Sequence, residues 1–201
     1  VLLTTALCYV LVQSPFAPWM MGVLAGSRFS WLIVLGLFGV VSFLAQKWAS
    51  QPTSLGLQYT GLAVYAVAES IIFVPILYIA ANYSDPNVLP TAGVMTLAIF
   101  GGLTASVFVT KKDFSFMARA LQMGMFAAMG IIVAAILFGF SLGTVFAGAM
   151  IVLMSGYILY YTSNVLHHYP VGAHVAAALA LYSALATLFW YVLQFAMGDR
   201  D

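Results

Sequence analysis

The chain has 201 residues, of which 64% are hydrophobic and 5% charged, with a mean hydropathy of +1.08. A soluble domain carries about 25% charged residues, so a water-soluble globular domain is excluded, and so is a membrane β-barrel, whose short strands alternate apolar with polar. A net charge of +1 with no basic tract argues against nucleic acid as a partner, and the single Cys8, in an apolar run, allows neither an internal disulfide nor redox chemistry.

Apolar runs bounded by charge, Pro and Gly predict an all-α polytopic membrane protein with seven transmembrane helices in one domain, residues 1–201. The sequence opens on Val1 inside the first run, 1–13, so an N-terminal tail and the start of that helix are expected to precede it. No basic region or small-residue cleavage site of a signal peptide surrounds Val1–Val12. The aromatic stretch 16–29 suits an interfacial connection. The second span is 30–46, stopped at Lys47–Trp48, and the third is 55–81. Then follow 89–110, 118–140, 144–166 and 174–197. Such runs suit the roughly 30 Å hydrocarbon layer.

Basic residues in short loops set orientation. With the N-terminus cytoplasmic, that side holds Lys47, Lys111, Lys112 and Arg119, and the far side Arg28 and Arg200. The N-terminus is therefore expected inside and the C-terminus outside. In the last span Ala176, Ala180 and Ala184 recur at i, i+4 and i+8, flanked by Ala177, Ser183 and Thr187. Small residues let helix backbones approach in lipid, so this helix is expected to have neighbours on several sides.

Glu69 is the one acidic residue near the middle of a span, six residues before Pro75. A carboxylate in hydrocarbon costs at least about 2.5 kcal/mol on insertion scales and needs a cavity or a partner. Two readings follow: an ion or proton site, or a neutral Glu bonded to a Tyr, a Ser or a free carbonyl. His167, His168 and His174 cluster near the last loop behind Tyr157, Tyr160 and Tyr161. They offer pH sensing, but no Cys or carboxylate lies near them in sequence, and no metal site is expected. Ser155 sits mid-helix without a nucleophile turn and is expected to bond its own backbone. No catalytic constellation is visible.

The chain's scarce charge is concentrated in "VTKKDFSFMARAL", Val109–Leu121. Lys111, Lys112 and Arg119 suit a headgroup anchor. Asp113, two residues before Ser115, suits a helix cap or an ion pair with Lys111, Lys112 or Arg119. The segment Thr110, Lys111, Lys112, Asp113, Phe114, Ser115 and Phe116 resembles the signature loop of the Bax inhibitor-1 (transmembrane Bax inhibitor motif) family. "YYTSNVLHHY" (Tyr160–Tyr169) and "AALALYSALATLFWYVLQF" (Ala177–Phe195) resemble its last two helices and lean toward the bacterial YccA-like branch.

The resemblance implies six helices surrounding a central C-terminal seventh. It also implies either a pH-sensitive calcium leak, sensed by an Asp pair on the last two helices, or modulation of a membrane AAA protease. The Asp positions correspond to Tyr161 and Ala184, so the two-carboxylate sensor is absent and a calcium leak of that kind is not expected. The expectation is a non-enzymatic, multi-pass protein of the bacterial inner membrane. Its partners would be the lipid bilayer and other membrane proteins, such as an AAA protease or a larger complex, with no cofactor. A second reading is a calcium or proton leak in which Glu69, with Tyr161 and His167, replaces the Asp pair. A third is a structural subunit of a membrane assembly.

Overall fold

The computed structural model describes residues 1–51, 54–170 and 172–198, with only the backbone described at Arg28. Arg200, which bears on the expected orientation, lies outside the described residues. Eight helices follow one another: α1 (Leu2–Gln13), α2 (Phe16–Gly26), α3 (Arg28–Ala49), α4 (Leu55–Tyr83), α5 (Val88–Thr110), α6 (Ala118–Phe138), α7 (Gly143–His167) and α8 (His174–Gly198). A single 3-10 turn, Ser115–Met117, leads into α6. No strand occurs among the described residues. The six helices α3 to α8 are long and apolar enough to cross a membrane.

The beginning of the chain differs from these six. α1, described from Leu2 to Gln13, meets α2 at a bend of 79°. Ser14 is extended there, because a residue before proline is disfavoured in the α region. The Ser14 hydroxyl donates to the Leu11 carbonyl and accepts from the Phe16 N–H, tying off both helix ends at the corner. The stretch 16–29, expected as a connection, is thus helical to Gly26, with Ala17, Met20 and Leu24 buried against Val74 of α4.

Close approach fixes the α3–α4 pair. A Cβ placed on Gly61 would lie 2.6 Å from the Ala45 carbonyl oxygen and 2.9 Å from the Ala49 nitrogen, and both alanines are buried. The main core gathers Phe73 and Ile76 of α4, Met150, Met154 and Ile158 of α7, and Leu188, Val192 and Leu193 of α8. In its most apolar 18-residue stretch α4 is 50% buried and α8 39%, against 6% for α3. Yet α4 keeps an exposed strip, whereas no residue of α8 from Leu179 to Gly198 is exposed. α8 packs on α3, α4, α5 and α7. Its small residues let several neighbours close in at once.

Candidate functional site

Tyr65 and Glu69, one helical turn apart, share a face of α4. Glu69 is 3% exposed, and the Tyr65 hydroxyl faces its carboxyl. α1 brings in Cys8, whose thiol donates to the Ser70 carbonyl at 3.7 Å. α8 brings in Tyr182, whose hydroxyl is hydrogen-bonded to Thr4 of α1. Cys8 is thus bonded to the residue that follows Glu69, and the Tyr182 ring meets that of Tyr65 edge-on at 5.8 Å. One oxygen of the Glu69 carboxyl, Oε2, has no hydrogen-bond partner among the described residues. That is an unfavourable arrangement in a low-dielectric interior unless the group is neutral or finds a ligand.

A cavity of about 1140 Å³ runs beside this group between α1, α4, α5 and α8. Its wall toward Glu69 is made by Thr4, Cys8 and Tyr182, and its far end reaches Ser14 and Asn82. α1 and α5, which both line it, do not pack on each other.

The other residues expected to act with Glu69 sit elsewhere. Tyr161 on α7 belongs to an aromatic group with Tyr157 and Tyr160 at ring separations of 5.5 and 5.3 Å. Nδ1 of His167 is 3.0 Å from the Ser163 carbonyl. Glu69, Tyr161 and His167 thus occupy three distinct neighbourhoods. Ala184 is buried on α8, and neither it nor Tyr161 supplies a carboxylate. His174 leaves the histidine cluster, its ring 3.4 Å from the Tyr59 hydroxyl at the start of α4. Ser155 donates to the Ile151 carbonyl. No group of three or more His, Cys, Asp or Glu suited to a metal occurs among the described residues.

The signature loop leaves α5 through Lys111, whose left-handed backbone (φ 51°) closes the helix with an N–H bond to the Val107 carbonyl. It is then fastened to α7. The Phe114 N–H donates to the Ser163 hydroxyl at 2.9 Å, which donates in turn to Asp113 Oδ1 at 3.3 Å. Asp113 accepts the Ser115 N–H at 2.8 Å, ahead of the 3-10 turn. It does not cap α6 as expected, because the 3-10 turn separates it from the helix: the N-cap of α6 is Met117, which makes no side-chain cap bond. The Asp113 ion pair, in turn, is with His168 Nε2 at 3.0 Å rather than with Lys111, Lys112 or Arg119. Docking on Ser163 turns the carboxylate toward the end of α7. The Ser115 backbone N–H and hydroxyl, then His168, hold the Asp113 carboxyl down at about 2. Phe116, also in the signature, is 78% exposed. Sequence reasoning misses Ser163 and His168 as partners of the loop. A hydroxyl one turn before a histidine pair is their only trace in the sequence.

Six long apolar helices, a buried carboxyl beside a cavity and a loop pinned by an Asp–Ser–His network define a multi-pass helical membrane protein. The chain belongs to the Bax inhibitor-1 family: residues 1–201 match the family model described as inhibitor of apoptosis-promoting Bax1. It is YccA-like, being 30% identical over 176 residues to the Escherichia coli K12 protein named modulator of FtsH protease YccA. That match covers 85% of this chain and 76% of the relative. Mouse protein lifeguard 4 is 27% identical, over 82% of this chain and 66% of its own length. Bax inhibitor 1 of Schizosaccharomyces pombe is 28% identical, over 82% and 60%.

Proposed function

We propose that this protein is a non-enzymatic component of a bacterial inner membrane that acts by contacting other membrane proteins, modulating a membrane AAA protease of the FtsH type. The carrying observation is the 30% identity, across 85% of the chain, to a relative named as modulator of that protease. A second E. coli relative named inner membrane protein YccA supports the location. Seven crossings around a central α8 go with this reading, α1 with α2 serving as the first. The absence of any exposed residue in α8 from Leu179 to Gly198 supports the central placement. The test is the half-life of a membrane substrate of FtsH in cells with and without this chain. A changed half-life, with the protease recovered on the tagged chain from detergent, is the expected result. An unchanged half-life and a chain recovered alone overturn it.

Glu69 favours a second reading, a proton pathway. Its unpartnered Oε2 is a single carboxylate oxygen in a site with no cluster of other acids among the described residues. Calcium takes six to eight oxygens, commonly several of them from carboxylates, so a proton fits better. Flux into liposomes across pH 5 to 8 tests it: proton flux that Glu69→Gln abolishes supports a pathway, and flux indifferent to the substitution removes it.

A further inference from the structure

We propose that the cavity between α1 and α5 is a binding site for a compact lipophilic monocation, an ammonium on an apolar body, with Glu69 as its counter-charge. This goes beyond the protease and proton readings and rests on neither. At about 1140 Å³ the cavity exceeds the usual 300–1,000 Å³ of small-ligand sites. Most of its wall is apolar, and it includes the rings of Tyr9, Phe73, Tyr78, Tyr182 and Phe189. Aromatic faces attract cations, most strongly where water is excluded.

Glu69 is next in sequence to Ser70, whose carbonyl accepts the thiol of Cys8 in that wall. It comes one turn after Tyr65, whose ring is 5.8 Å from that of Tyr182 in the same wall. It is buried, with Oε2 unpartnered among the described residues. Among the described residues, no Lys or Arg lies in the helices that line the cavity. The six Lys and Arg are Arg28, Lys47, Lys111, Lys112, Arg119 and Arg200. A buried carboxylate in an apolar setting is stabilised by a paired cation, which a ligand in the cavity would supply.

Proton balance is simple. A neutral amine arriving from the hydrocarbon takes the proton of the Glu69 carboxylic acid and stays beside the carboxylate as an ammonium. Thr4 and Tyr182, hydrogen-bonded to each other, both line the cavity and give it hydroxyl groups beside its apolar wall.

The experiment compares 1-aminoadamantane with its neutral isostere 1-adamantanol, by equilibrium binding to the whole chain in lipid nanodiscs. The amine is expected to bind at least about 10-fold more tightly than the alcohol, a difference of roughly 1.4 kcal/mol. Glu69→Gln is expected to remove that preference and leave alcohol binding unchanged. Gly93 lines the cavity, and a Cβ there meets nothing within 4 Å. Gly93→Trp therefore has room to fill the space and is expected to weaken both probes, and it decides the matter should Glu69→Gln fail to fold. Equal affinities for the two probes, a preference that survives Glu69→Gln, binding indifferent to Gly93→Trp, or no binding of the amine each overturn the proposal.

Discussion

Asp113 shows how far a single residue can be read in advance. Its role toward Ser115 follows from spacing alone, because an acceptor two positions before an unpaired N–H is a local matter. Its partners on α7 are not local: they depend on how α6 returns the chain, and no pattern within the loop encodes that. The geometry has a pH consequence. The hydrogen bonds that lower the Asp113 carboxyl to about 2 favour its ionised form. Their contribution is thus present above the ordinary carboxylate value near 4 and is lost as the pH falls through about 2. Hydrogen exchange at the Ser115 amide, corrected for intrinsic rates, should stay slow from pH 7 to about 4 and quicken below. Asp113→Asn should raise it several-fold at neutral pH. Ser163→Ala should instead release the Phe114 amide, whose acceptor is the Ser163 hydroxyl. If both amides exchange as in the unmodified chain, the loop is not held by this network. Glu69 gives the complementary lesson. One acid in an apolar span stands out at once, yet its neighbours Cys8 and Tyr182 come from opposite ends of the sequence, and only packing brings them together.

At the scale of helices, hydropathy is a good guide because lipid demands continuous apolar helices with internally satisfied backbones. It is a poorer guide at α1 and α2. There a Ser-Pro corner breaks an apolar run that composition alone reads as a span and a connection. Small residues also carry unequal meaning. Gly61 faces α3 at contact distance, while at Gly56, on the first turn of the same helix, an added Cβ would meet nothing within 4 Å. Alanine at the two sites should therefore differ in sign. Gly56→Ala gains helix propensity, up to about 1 kcal/mol. Gly61→Ala forces the Ala45 and Ala49 backbone away, and overpacking of this kind costs about 1–3 kcal/mol. Thermal unfolding in detergent should rise or hold for the first and fall by several degrees for the second. Equal behaviour would mean that α3 and α4 are not in close contact.

For the whole molecule, the arrangement turns on one number, the count of crossings. Six helices qualify without question of length, and the bent pair α1–α2 makes a seventh if it acts as one span. Parity separates the cases: six crossings leave the two termini on one side, and seven place them on opposite sides. The proposed function goes with seven. Thr4 reaches Tyr182, Cys8 reaches Ser70, and Ser14 shares the cavity's far end with Asn82. α1 thus runs along α4 from its middle to its C-terminal end. In the proposed seven-span arrangement Lys47, Lys111, Lys112 and Arg119 fall on one side, which the basic-residue rule would make cytoplasmic. Tags fused to each end of the chain, probed with a membrane-impermeant protease in right-side-out spheroplasts, should give a C-terminal tag that is cleaved and an N-terminal tag that is protected. Cleavage of both tags, or of neither, would leave six crossings and make the α1–α2 corner a re-entrant element.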